Sequence, residues 1–136
     1  MKRNWIEYHE TRQFSPMSFW VHKNIDCDYW SEANVFEPPF PNPIPGEGFP
    51  TFHIELDDFE FCFASLDEIS HCIEVLSQKL LPRSIDLSRQ RGTVKGPNTH
   101  WLSRLPASVK SWKYREKAVK YMQNALQKFQ QEIENR

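Results

Sequence analysis

No run of apolar residues in this chain approaches the ~20 needed to cross a bilayer. The opening segment, MKRNWIEYHE, likewise has no apolar stretch behind Lys2 and Arg3. These absences argue against a membrane protein and an export signal. Cysteine is scarce and odd in number. Cys27, Cys62 and Cys72 show no paired spacing, which speaks against a disulfide framework and points to the cytosol. His9, His22, His53, His71 and His100 are scattered, and the one adjacent pair, His71-Cys72, splits between the exposed and apolar sides of its helix. Neither a zinc site nor a cofactor is expected. The Gly92-x-x-x-Gly96 segment holds Lys95, yet it lacks the Gly-Lys-Ser/Thr ending of a phosphate-binding P-loop and follows no strand. No internal repeat is present.

The charge is unevenly distributed. The formal net charge of -1 hides four Lys/Arg against eleven Asp/Glu up to residue 65, and thirteen against seven from residue 66 onward. Such a dipole along the sequence suits either an acidic partner for the second half or two halves that neutralise each other. With 136 residues, the chain fits a single domain spanning 1–136.

The patterning predicts an α+β fold. MSFWVH (Met17 to His22), set between Ser15-Pro16 and Lys23-Asn24, has the composition of an N-terminal strand. From 35 to 50, six prolines deny the backbone donors and favour a long extended loop. That loop is either a docking strip or a strap that lays Phe36, Phe40, Ile44 and Phe49 on the core. Residues 51–64 read as a hairpin. A two-residue turn at Asp57-Asp58 would set Leu56 opposite Phe59, Ile54 opposite Phe61 and Phe52 opposite Phe63, all on one face. Ser65-x-x-Glu68 is a capping box opening a helix over about 66–81, with Leu66, Ile69, Ile73, Leu76 and Leu80 as its apolar stripe and Pro82 as its stop. Residues 82–106 form a basic loop, with a short helix over Thr99 to Arg104 after Asn98. A final helix over about 109–133 carries Val119, Met122, Leu126, Phe129 and Ile133, a seam that would also serve a homodimer. A short antiparallel sheet covered by two amphipathic helices follows from these elements.

Between Lys79 and Lys120 there are eleven Lys/Arg and only two acids, Asp86 and Glu116. Projection of the last helix puts Lys110, Lys113, Lys117 and Lys120 on one side, opposite the apolar stripe, with Tyr114 and Tyr121 flanking them. Lysines on such a face neutralise phosphates, and neighbouring aromatics stack on unpaired bases. The candidate binding set is therefore Arg89, Arg91, Lys95, His100, Arg104, Lys110, Lys113, Tyr114, Lys117, Lys120 and Tyr121. Against it stands the simpler view that these lysines serve only solubility on an outward helix face. Arg115, projecting beside Trp112, and Trp101 are assigned to packing.

Catalysis has one candidate, Cys62 with His53 across the hairpin. With Glu55 and Glu60, these are equally the polar side of a one-sided sheet. Asp26, Asp28, Asp57 and Asp58 read as turn residues, and no enzyme is expected. The stretches SLDEISHCIEVLSQKLLP (Ser65 to Pro82), NTHWLSRLP (Asn98 to Pro106) and KYREKAVKY (Lys113 to Tyr121) resemble a group of small uncharacterised proteins encoded on proteobacterial phages and integrative elements. That resemblance implies a bacterial cytosol and an accessory gene of a mobile element, and it brings no activity or functional residue. The expected function is non-enzymatic binding of nucleic acid. The alternative is a module that binds or inhibits a bacterial host protein complex, such as a defence complex.

Overall fold

A computed structural model describes residues 2–83, 86 and 101–135. Among them the elements are β1 (Lys2–His9), α1 (Ser18–Val21), β2 (Lys23–Asn24), β3 (Phe36–Glu37), β4 (Phe49–Leu56), β5 (Phe59–Phe63), α2 (Leu66–Leu76), α3 (Ala107–Lys110) and α4 (Trp112–Glu134), with 3-10 turns at Trp30–Glu32 and Trp101–Arg104. The fold is α+β. An antiparallel sheet ordered β1-β4-β5 carries α2 and α4 on one face, and β2 and β3 form a separate two-stranded ladder.

The hairpin has the register its alternation dictates, with Phe52 opposite Phe63, Ile54 opposite Phe61 and Leu56 opposite Phe59. Its turn places both Asp57 (φ 50) and Asp58 (φ 68) in the left-handed region. That is the type I′ geometry whose twist matches the strands, here built without the glycine that usually relieves it. Phe52, Ile54, Leu56, Phe61 and Phe63 are buried against Ile69, Cys72, Val75 and Leu76 of α2 and Ala118, Met122, Ala125 and Phe129 of α4.

The sheet's third strand is not where the composition suggested. Met17 to His22 is a helical turn: Trp20 and Val21 donate their backbone N–H to Met17 O, and Ser15 Oγ accepts from Met17 N at 3.1 Å. The chain turns here because Ser15 and Ser18 are drawn toward a buried carboxylate, which outweighs the strand propensity of the Phe-Trp-Val run. The third strand is instead β1, paired along its length with β4 from Lys2↔Leu56 to His9↔Phe49. Its sequence conceals it, since two helix-facing positions are polar: Asn4 donates to Tyr121 Oη at 2.8 Å, and Lys2 lies 5.7 Å over the Tyr121 ring.

Both long helices differ at their ends from the expected spans. Helix α2 stops at Leu76, and Leu80 is 87% exposed rather than part of the stripe. Arg115 explains the early stop. Its guanidinium donates to the carbonyls of Leu76 (3.1 Å), Gln78 (2.5 Å) and Lys79 (3.1 Å), satisfying the last acceptor of the helix and two in the segment that leaves it. Its Nε donates to Lys110 O at 2.8 Å, and the group stands 5.0 Å over the Trp112 ring. At the other helix, Ser111 is extended (φ -64, ψ 146) and caps α4 through Tyr114 N at 3.3 Å. Lys110 therefore belongs to α3. The apolar stripe of α4 is also rotated, because Ala118 and Ala125 fill its centre while Val119, Leu126 and Ile133 are only partly buried.

The 35–50 segment acts as a strap. Phe36 and Phe40 are buried with Ala64 in a second cluster that Trp30 and Ala33 pack against, while Ile44 and Phe49 are half-buried. Its tip turns through Gly46 (φ 81) and Gly48 (φ 114). A Cβ at Gly48 would stand 2.3 Å from His9 O, so no other residue fits.

Glu68 joins these parts. It is fully buried, and its carboxylate accepts from Ser15 Oγ, from Ser18 Oγ (2.8 Å) and from Ala64 N (3.0 Å), with His22 Nε2 at 3.2 Å. Ser65 Oγ caps Glu68 N at 3.2 Å as the sequence motif requires, but the Glu68 side chain turns to Ala64 N and the two serines instead of completing the reciprocal box. His22 donates from Nδ1 to Pro38 O at 2.6 Å and meets Ser65 Oγ at 2.8 Å through Nε2, stacked 3.9 Å from the Phe40 ring. Removing the carboxylate leaves several buried donors unpaired. Glu68→Ala is expected to lower stability by about 3 kcal/mol or more, and Glu68→Gln by less, in urea unfolding followed by circular dichroism. Asp58→Gly is expected to raise it by about 1 kcal/mol, since a non-glycine residue no longer occupies the left-handed turn position.

Candidate nucleic-acid interface

Helix α4 is amphipathic because it must bury Met122 and Phe129, and what faces away from them is set by the same geometry. At about 100° per residue, Lys113, Lys117, Lys120, Asn124, Gln127, Lys128 and Gln131 fall in one sector about 100° wide. All seven are exposed. The carboxylates of the helix, Glu116, Glu132 and Glu134, stand at the margins of that sector, and Glu132 Oε1 comes within 3.8 Å of Lys128 Nζ, an exposed pair that solvent screens. Among the described residues Lys113 and Lys120 make no ion pair. Lys117 Nζ meets Asp57 Oδ2 at 2.5 Å, a half-exposed contact that holds the Asp57 carboxyl below its usual range. Solvent screens such a pair, so a phosphate oxygen can take the place of the aspartate. Lys128 Nζ reaches Asn4 Oδ1 at 2.7 Å, and with Lys2 it carries the basic surface onto β1. Tyr121, half-buried, sits between them with its hydroxyl already bonded to Asn4.

The rest of the expected binding set is dispersed. Tyr114 is 8% exposed and donates to Leu56 O at 2.9 Å, and burial pushes its phenol up to about 12. It is a core residue and offers no ring to a base. Arg104 is exposed at the β5 edge, beside Phe59, Glu60 and Cys62. Lys110 lies near it, with Nζ 3.5 Å from Ser103 O. These two are thus at the opposite edge of the sheet from Tyr121 and Lys128. Arg89, Arg91, Lys95 and His100 lie outside the described residues, as do Asn98 and Thr99; Trp101–Arg104 is a 3-10 turn instead of a helix end. Trp101 is buried and donates Nε1 to His71 Nε2 at 3.2 Å, where burial holds the His71 pKa down and keeps the ring an acceptor. Asn124, Gln127, Lys128 and Gln131 were missed by the sequence reading. Carrying the helical projection past Lys120 would have found them.

The Cys62–His53 pair is adjacent across the hairpin, yet it is not poised for nucleophilic chemistry. His53 is 7% exposed beneath Trp5, which stacks on it at 5.2 Å, so it is not the solvent-facing residue that a one-sided sheet implies. Its Nε2 meets Thr51 Oγ1 at 2.8 Å and its Nδ1 meets Glu60 Oε2 at 3.2 Å, leaving neither nitrogen for the thiol. Partial burial, with Glu60 nearby, pushes the Cys62 thiol up to about 11. Among the described residues no three His, Cys, Asp or Glu side chains converge as a metal requires, and no helix is long and apolar enough to cross a membrane.

Comparison of the chain with family models, curated proteins and solved structures finds no match. The candidate site therefore rests on geometry and charge. For the thiol, a shift of this size leaves roughly 100-fold less thiolate than an ordinary cysteine has near neutrality. Iodoacetamide at pH 8 is accordingly expected to label Cys27 well before Cys62, with Cys72 last, as read by peptide mass spectrometry. Rapid labelling of Cys62 would contradict the assignment.

Proposed function

We propose that the protein binds nucleic acid through its phosphate backbone, without reading sequence and without catalysis, along the exposed sector of α4. One observation carries the reading: Lys113, Lys117, Lys120 and Lys128 share a face with Asn124, Gln127 and Gln131, while the carboxylates of that helix stand at its margins, where Glu132 comes within 3.8 Å of Lys128. The carboxylates that meet these lysines, Asp57 and Glu132, do so through exposed pairs at the edge of the face, which leaves its centre with charge of one sign. Lysines spaced along a helix supply phosphate contacts, and the amide side chains between them add hydrogen bonds to phosphate and sugar. The mobile-element setting comes from the resemblance noted above and would make this an accessory protein acting on nucleic acid in a bacterial cell.

The test is fluorescence anisotropy with labelled single- and double-stranded oligonucleotides over a salt series. Binding is expected to weaken steeply with salt. The double variant Lys113→Glu/Lys120→Glu should weaken it at least tenfold and reduce the log–log salt slope by about 2. Arg104→Gln, at the far edge of the sheet, should leave it unchanged. Absence of binding at low salt would end the proposal.

A second reading, binding to a bacterial host protein, draws on the opposite end of the charge dipole. Ile25 (59% exposed), Tyr29 (69%) and Val35 (50%) stand out from an acidic segment bearing Asp26, Asp28 and Glu32. The segment is ordered, since Asp26 accepts from the backbone N–H of Asn34 and Val35 at 3.1 Å. A nuclease-resistant complex lost on Tyr29→Lys would favour this reading.

A further inference from the structure

The β5 edge combines three features that no account of α4 uses. In a two-residue hairpin the residues flanking the turn form the hydrogen-bonded pair, and pairs then alternate along the ladder. Leu56↔Phe59, Ile54↔Phe61 and Phe52↔Phe63 are thus the bonded pairs of this register. It follows that Glu60 and Cys62 direct their backbone N–H and C=O away from β4, and β5 is the last strand of the sheet. Among the described residues no backbone or side-chain group bonds them. The second feature is a cavity of about 190 Å³ along this edge, walled by Phe59, Phe61, Trp101 and Leu105. The third is Arg104 at its rim, exposed and with no hydrogen bond or ion pair among the described residues.

The size of the cavity decides what can occupy it. Sites for whole small molecules run to about 300 Å³ and above, so this one suits a single side chain. Unpaired peptide groups beside it are the donors and acceptors that an extended backbone satisfies, with pockets for alternate side chains conferring specificity. Glu60, the nearest carboxylate, is committed to His53, which leaves Arg104 as the free charge at the rim.

We propose that the β5 edge takes an extended peptide segment of a partner protein as an added strand. Its backbone bonds Glu60 and Cys62, one leucine- or phenylalanine-sized side chain enters the cavity, and a neighbouring Asp or Glu pairs with Arg104. The site lies across the sheet from Tyr121 and Lys128, so it is separate from the nucleic-acid reading and stands or falls independently of it.

The probe is a fluorescein-labelled peptide of about eight residues in which Thr and Val flank a central Leu with Glu nearby. Three relatives serve as comparisons: Lys for Glu, Ala for Leu, and N-methylated amides at the bonding positions. Anisotropy with the full chain should show saturable binding of the Glu peptide. Binding should fall about tenfold with Lys or Ala and be lost on N-methylation. Arg104→Glu should invert the preference between the Glu and Lys peptides, a readout that unfolding cannot mimic. Glu60→Pro, tolerated on an edge strand, should abolish binding while circular dichroism stays unchanged. Amide exchange at Glu60 and Cys62 should slow when the Glu peptide is added. No saturable binding at millimolar peptide would overturn the proposal. So would binding indifferent to N-methylation and to Arg104→Glu, or slow exchange at these amides that depends on protein concentration alone and marks a second copy as the occupant.

Discussion

A single buried carboxylate holds the small elements of this protein to its sheet. Glu68 is fully buried, and the groups around it come from two distant stretches of chain: Ser15, Ser18 and His22 from the helical turn that leads into β2, and Ala64 from the end of β5. Charged groups survive such burial only when their hydrogen-bonding capacity is filled. The network therefore works in both directions. It makes the carboxylate tolerable, and it fixes where segments with little regular structure must lie. The strap is drawn in as well, because His22 donates to Pro38 O and stacks on Phe40.

The sheet separates two tasks. Its helix-covered face is an apolar core, closed by Arg115 where α2 ends. The outer face is divided: the strap's aromatic cluster covers the Ala64 end, and the rest carries the network of His9, Thr51, His53, Glu7 and Glu60 beneath Trp5. Cation-bearing surfaces lie at the sheet's opposite edges, Lys2 and α4 by β1, Arg104 by β5. A linear count of Lys and Arg merged them into one basic region.

Legibility followed how much of the determining information was local. The 51–64 hairpin could be read to the residue because both strands alternate and agree on one register. The Ser65 cap and the existence of both long helices were equally plain. Strand β1 was hidden because Lys2 and Asn4 face the helix layer and find polar partners there, Tyr121 and Lys128, from the far end of the chain. Met17 to His22 was misread because its apolar residues suit a strand, while the serines that bend it answer to Glu68. The proposed binding surface was half legible. Lys113, Lys117 and Lys120 were found by helical projection; Lys110 was lost at Ser111, where one extended residue interrupts the helix. Tyr114 was misplaced because it lies at the margin of the apolar stripe, and only the Leu56 carbonyl draws it inward.

The close approach of Gly48 to His9 has a consequence for β1 itself. A strand with so little alternation in its own sequence sets its pairing weakly, and a slip of one residue would exchange its two faces. Trp5 would leave His53, and Asn4 would leave Tyr121. The strap tip, seated on the His9 carbonyl with no space for a side chain, acts as an end-stop against that slip. The alignment that β1 does not encode is thus held by a glycine far along the chain.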